Sequence, residues 1–143
     1  MKENEALPLT TQAVRQIGAV NLAFIGDAVY DLFIRNVLLL RSPRIKINKL
    51  NELKIKCVNA TTQAQLAHAV MAQLSDDELA VLKRGRNAKT ATVAKNASLV
   101  DYKYATGFEA LLGHLYLTGQ DERLDDILNF ALDWCQTHFE EIL

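Results

Sequence analysis

Asp27 and Glu109 are acids set into the most apolar parts of the chain, each with a glycine close before it. Asp27 follows Gly26 in the segment Asn21-Leu22-Ala23-Phe24-Ile25-Gly26-Asp27-Ala28-Val29-Tyr30-Asp31-Leu32-Phe33-Ile34-Arg35. Glu109 lies in Gly107-Phe108-Glu109-Ala110-Leu111-Leu112-Gly113. An ionised carboxylate is costly to bury unless it is paired, hydrogen-bonded or bound to a cation. Glycine inside a helix adds a cost of about 1 kcal/mol against alanine. Small residues let helix backbones approach closely, so helices carrying these acids could cross here and bring the carboxylates together. Paired carboxylates on facing helices suit a hard divalent cation such as Mg²⁺. The competing reading places each acid on a solvated stripe. Asp31, with Arg35 four residues on, fits that second reading.

A second candidate is basic. Lys83, Arg84, Arg86, Lys89 and Lys95 follow one another with no acid between them, mixed with Asn87, Thr90, Thr92 and Asn96. Cations and small polar groups on a turn suit phosphate contacts, which position a nucleic acid without reading its sequence. The plain alternative is a charged surface loop. No aromatic residue stands in this loop for bases to stack on, which argues against single-stranded binding.

Across all 143 residues the net charge is only −1, so the sum points to neither nucleic acid nor membrane. The distribution is more informative. Residues 35–56 hold seven Lys/Arg and one acid, Glu52, whereas from Asp121 onward there are seven acids and one base, Arg123. Such segregation can build a positive face on a neutral protein. Cys57 and Cys135 sit in apolar helical contexts without metal-site spacing, as small core residues of a reduced protein do. The polar, acidic N-terminus shows no secretory or transit signal, and Asp31 and Arg35 interrupt the apolar stretch that begins at Val29. A cytoplasmic protein with no membrane partner is the expectation.

The elements that must position these groups are helices. After a loose lead-in over about residues 1–11, helical periodicity starts near Gln12 and runs strongly from Val20 to Leu40, ending at Arg41-Ser42-Pro43. A second helix is predicted from Lys46 to Asn59, and a third, capped by Thr61 or Thr62, to about Gln73. Ser75 and Glu78 make a capping box for a short helix through Leu82, which gives way to a turn in Lys83–Lys89 and a loop over Thr90–Ala97. Long helices are predicted at Leu99–Leu117, stopped by Thr118-Gly119, and from Glu122 to about Phe139. No stretch alternates with period two for long enough to make a sheet. The chain is expected to be one all-α domain spanning residues 1–143.

Two of these segments resemble a known family. Leu22-Ala23-Phe24-Ile25-Gly26-Asp27-Ala28-Val29 resembles the signature helix of ribonuclease III nucleases, E-F-L-G-D-A-V. Phe108-Glu109-Ala110-Leu111-Leu112-Gly113-His114-Leu115-Tyr116-Leu117 resembles that family's second acidic segment, F-E-A-L-I-G-x-x-Y-L. The length, the sequence Lys83-Arg84-Gly85-Arg86-Asn87-Ala88-Lys89, and Tyr102-Lys103-Tyr104-Ala105-Thr106 before the glutamate are similar to Mini-III. That bacterial subfamily is a ribonuclease III catalytic domain without the double-stranded-RNA-binding domain.

The resemblance implies an endonuclease-domain-like helical bundle in which Asp27 and Glu109 are the catalytic carboxylates that bind Mg²⁺. It implies hydrolysis of a phosphodiester in each strand of duplex RNA, with 5′-phosphate and 3′-hydroxyl ends and a short 3′ overhang. Mg²⁺ would activate water and stabilise charge on the phosphate. Lys83, Arg84, Arg86, Asn87, Lys89 and Lys95 would grip the backbone, since duplex RNA is read mainly by shape. Phe24 matches the position through which two subunits pack in the family homodimer. The implied substrate is the large-subunit (23S) ribosomal RNA precursor, presented in structured or protein-bound form, a ribosomal protein being one candidate. Ribonuclease III proper has two further acids, four residues before the first and three before the second. Here those positions hold Ala23 and Thr106, a departure shared with Mini-III that leaves open which other groups hold the metal. Two other readings compete: a non-catalytic RNA-binding module of the same fold, and an all-α nucleotide pyrophosphohydrolase. The second usually needs a Glu-x-x-Glu pair in one helix, which is absent.

Overall fold

The computed structural model describes residues 7–89 and 98–142, and every regular element among them is helical. The helices are α1 (Thr11–Val14), α2 (Ala19–Arg41), α3 (Ile47–Val58), α4 (Ala60–Val70), α5 (Asp76–Arg86), α6 (Leu99–Leu117) and α7 (Asp121–His138). A 3₁₀ turn, Met71–Gln73, follows α4. None of the helices is long and apolar enough to cross a membrane.

Helix α6 is the axis of the bundle. Nearly every residue from Ala105 to Leu115 is buried, as expected of a helix apolar on all sides. Helices α2, α4 and α5 pack around it, α3 lies on α2, and α7 closes the remaining side. In α2 the buried positions Leu22, Gly26, Tyr30, Ile34 and Leu38 recur at four-residue steps and face inward. The Tyr30 hydroxyl donates to the Cys57 carbonyl at 2.8 Å, and its ring meets Phe108 edge-on at 5.5 Å. The buried thiols of Cys57 and Cys135 lie against one another, and the hydrogen bond with Cys135, followed by burial, pushes the Cys57 thiol up. The two cysteines are core residues, as expected, and they are also neighbours.

Local chemistry sets most helix ends. Ser75 accepts from the Glu78 amide at 3.2 Å while Glu78 accepts from the Ser75 amide at 2.9 Å, the reciprocal capping expected of this pair. Ser98 caps α6 by accepting from the Asp101 amide at 3.0 Å, and α6 stops before Gly119 with φ +68°. Two expectations are corrected. Asn59, not Thr61 or Thr62, caps α4: its side chain accepts from the Thr62 amide at 2.8 Å. Thr62 instead donates its hydroxyl to the Lys56 carbonyl at 2.6 Å.

The second correction concerns the turn expected over Lys83–Lys89. Helix α5 continues through Gly85 to Arg86, and the turn begins only at Asn87. A Cβ on Gly85 would lie 2.8 Å from Gly107 Cα, and one on Gly107 would lie 2.6 Å from the Leu82 carbonyl oxygen. The two glycines let α5 and α6 touch backbone to backbone, and that packing outweighs the propensity cost of about 1 kcal/mol. Residues 90–97, including Lys95 and the expected loop, lie outside the described residues. So does the first part of the expected lead-in, residues 1–6; beyond it, the Leu9 amide donates to the Leu117 carbonyl at 2.7 Å.

Candidate active site

Asp27 and Glu109 meet where α2 crosses α6. A Cβ on Gly26 would fall 1.7 Å from the Glu109 carbonyl oxygen, and one on Gly113 would fall 2.0 Å from the Leu22 carbonyl oxygen. No side chain larger than hydrogen fits at either position, so the backbones pass at van der Waals contact. Asp27, one residue beyond Gly26, and Glu109, one turn before Gly113, therefore project from the crossing. Close approach through small residues is what their setting predicts, with one adjustment. Gly113, rather than Gly107, is the partner of Gly26, while Gly107 serves the α5 contact.

The two carboxyl groups face each other within hydrogen-bonding reach. Burial comes first and the Asp27 carboxylate second in pushing Glu109 up to about 9, opposed by the Gln63 amide beside it. Asp27 is exposed and Glu109 half-buried, so the pair opens to solvent on the Asp27 side. Two carboxylates this close repel once both ionise, and the arrangement becomes favourable when a cation sits between them. Asp31 is different. It pairs with Arg35 on its own helix and with Lys54 of α3 at 3.8 Å, the solvated ion pair expected for it.

At the positions of the missing acids, Ala23 is buried, and Thr106 donates its hydroxyl to the Tyr102 carbonyl at 3.0 Å. Among the described residues no cluster of three or more His, Cys, Asp or Glu could hold a metal ion. The site is thus a pair of acids. The donor set still fits a hard cation, because both groups are carboxylates from facing helices and the pair opens to solvent on the Asp27 side, where water can complete the shell.

Over residues 20–120 the chain matches the Ribonuclease III domain family. Its relatives include the Mini-ribonuclease 3 of Clostridium tetani, 42% identical over 87% of this chain and 82% of that protein. The Mini-ribonuclease 3 of Enterococcus faecalis is 42% identical over 85% of this chain and 89% of its own. The chain belongs to the ribonuclease III family. Its likeness to proteins of that name places it in the Mini-ribonuclease 3 branch, and it is an endoribonuclease whose substrate is RNA. A crystal structure of a Fusobacterium nucleatum protein shares the fold with a TM-score of 0.75 at 30% identity, covering 84% of this chain and 95% of that one.

The described basic candidates of this ribonuclease III domain, Lys95 aside, lie at and just beyond the end of α5. Lys83, Arg84 and Arg86 occupy its last turn and Asn87 caps it. Arg84 donates to the Ile17 carbonyl and lines a cavity of about 470 Å³ with Arg15, Asp77 and His114. Arg86 donates to Asn87 Oδ1 at 3.0 Å and lies 5.6 Å from the Tyr104 ring centre. Tyr104 in turn stacks on His68 at 4.0 Å, so the aromatic group lacking in the basic segment is supplied by α6. Lys83, Asn87 and Lys89 are exposed. Phe24 is 78% exposed on α2, one turn before Asp27.

Proposed function

We propose that this endoribonuclease cleaves double-stranded RNA with Asp27 and Glu109 as its catalytic, Mg²⁺-binding carboxylates. The observation that carries the reading is their juxtaposition, two acids from different helices pressed together at a glycine crossing that leaves no room to separate them. A divalent cation held there supplies the Lewis acidity that activates water and neutralises charge on the scissile phosphate. Asp27 offers its carboxylate on the solvent side, where an RNA phosphate can approach. Glu109 holds a proton when the pair is empty and releases it when positive charge enters. The cations at the end of α5, with Asn87, Lys89 and Lys95, grip the RNA backbone and 2′-hydroxyls.

Products carry 5′-phosphate and 3′-hydroxyl ends, and the physiological substrate is the 23S ribosomal RNA precursor in the cytoplasm, presented by a ribosomal protein. Two copies act together as a homodimer. The exposed apolar positions Val20, Phe24 and Leu32, at spacings of four and eight along α2, support that pairing. A cleavage assay on duplex RNA with Mg²⁺ tests the site. Asp27→Asn and Glu109→Gln should each slow cutting by about a hundredfold or more. Equal cutting by wild type and both variants would remove these residues from the site.

A further inference from the structure

The cavity lined by Arg84 lies between α1, α5 and α6 and shares no residue with the acid pair. Its volume of about 470 Å³ falls in the range of about 300–1,000 Å³ usual for small-molecule sites. Leu9, Val14 and Val81 give it apolar walls. Its charges are uncompensated. Among the described residues Arg15 has no acid within ion-pair distance, and Arg84 bonds only to the Ile17 carbonyl. Asp77 is unpaired there too, whereas its neighbour Glu78 is taken by Arg123. His114 also lines the cavity; it is 7% exposed, and its buried Nδ1 has no hydrogen-bond partner. A buried nitrogen without a partner is costly, and an apolar side chain would avoid that cost. Asp77 and Arg84 stand two turns apart on one face of α5, about 10 Å by helix rise. The cavity therefore carries an acid toward the start of α5 and a cation toward its end.

We propose that this cavity binds a guanosine 5′-monophosphate-like nucleotide, its phosphate at Arg15 and Arg84 and its base at His114 and Asp77. Arginine is suited to phosphate because its planar fork makes paired, charge-assisted bonds. Guanine suits the acid, because its ring N–H and exocyclic amine donate side by side to the two oxygens of one carboxylate. The separation of Asp77 from Arg84 matches the reach from a base edge to a 5′-phosphate. His114 offers the base a flat ring and a nitrogen in need of a partner. The same acid disfavours an RNA backbone in the cavity, since a run of phosphates would lie against a carboxylate. A single nucleotide places one negative charge centre at the arginines and a neutral donor edge at the acid.

The test is calorimetric titration with GMP, AMP, inorganic phosphate and a short RNA duplex, in EDTA, for wild type, Arg15→Gln and Asp77→Asn. Both substituted side chains are exposed, and circular dichroism checks that each variant is folded. Wild type should bind GMP about tenfold or more tightly than AMP or phosphate, the size of a lost charged hydrogen bond. Arg15→Gln should weaken GMP by a similar factor, and Asp77→Asn should remove the preference for GMP over AMP. A second readout is the His114 ring, followed by NMR across pH. Burial, then the Arg84 cation, hold this imidazole below its ordinary range; Arg15 acts in the same direction, while Glu78 and Asp77 oppose them. A phosphate bound at the arginines should raise it. Absence of GMP binding to wild type overturns the proposal, as does phosphate binding as tightly as GMP. Equal affinity for GMP and AMP overturns the role of Asp77. An unmoved His114 signal at saturating GMP, or wild-type GMP affinity in both variants, places the nucleotide elsewhere and overturns the site. Duplex RNA that binds wild type and weakens in Arg15→Gln, with no binding of GMP, gives the arginines to the RNA backbone instead.

Discussion

At neutral pH and without a cation, Glu109 carries a proton that the unfolded chain would have released. Its ordinary value is 4.5 and burial beside Asp27 pushes it up to about 9. For a group raised on folding, the stabilising contribution is complete below the unfolded value and is lost as pH climbs toward the folded one. The cation-free protein should therefore lose thermal stability between about pH 4.5 and 9 through this residue. Glu109→Gln should flatten that slope, melt higher than wild type at pH 8 without metal, and gain nothing from Mg²⁺. Thermal melts across pH with EDTA or Mg²⁺ check this, and a variant that still gains from Mg²⁺ would contradict it. The acids themselves were legible in the sequence because a carboxylate in an apolar run is conspicuous. The Gln63 amide that opposes this shift was not, although Gln63 occupies the same stripe as Leu66, Ala67 and Val70, because a stripe read only from its apolar members passes over the polar one.

Helix α6 meets two neighbours through glycine, and the two crossings differ in how readable they were. Gly26 stands beside its acid, so a close approach there followed from the local pattern, although its partner is Gly113, four residues after Glu109, and not the expected Gly107. Gly85 sits beside Asn87 in a basic run, where local signals favour a turn, and only Gly107, more than twenty residues away, explains why the helix continues. Propensity is local and packing is not. Gly26→Ala places a methyl group 1.7 Å from a backbone oxygen, which demands a shift of the whole crossing. Its cost should exceed the usual ~1–3 kcal/mol of overpacking, appearing as a melting temperature lowered by about 10 °C or as failure to fold. Gly18→Ala, where the added methyl group meets nothing within 4 Å, is the matched control and should melt near wild type. The start of α5 is held differently. Arg123 of α7 donates to Glu78 at 2.8 and 3.0 Å and to the Gln73 carbonyl at 2.9 Å, and this guanidinium pulls the Glu78 carboxyl below its ordinary range. A lowered acid stabilises above its ordinary value of 4.5, and that stability is lost as pH falls. Glu78→Gln should lower the melting temperature at pH 7 and narrow the gap to wild type at pH 3; an unchanged gap would show that the charge is not what matters.

Over the whole molecule, charge and apolar surface divide the work of binding. The α5 cations should contribute affinity that salt weakens, about one unit of log–log slope for each phosphate contact. Arg84→Ala with Arg86→Ala should then bind duplex RNA more weakly and with a shallower salt dependence, and parallel salt curves would exclude them as phosphate contacts. The apolar surface bears on the proposed second copy. Phe24 at 78%, Leu32 at 60% and Val20 at 45% exposure line one helix that also carries Asp27. Large apolar side chains aligned along a helix cost solubility unless another surface covers them, and in the proposed homodimer a second α2 related by two-fold symmetry would cover them with the same residues. The sequence singled out Phe24 only through family resemblance, since periodicity alone does not separate an exposed apolar residue from one facing the core. Phe24→Arg sets two charges against each other across such an axis. It should sediment as a monomer at micromolar concentration while keeping its fold, because Gly26 and the α6 crossing lie on the opposite side of α2. It should still bind Mn²⁺, because both acids belong to one chain. Cutting of both strands should fall far more than metal binding does, because each strand needs its own acid pair. A dimer that persists in Phe24→Arg would move the interface elsewhere on the molecule, and a monomer that still cuts both strands at the wild-type rate would remove the need for a partner.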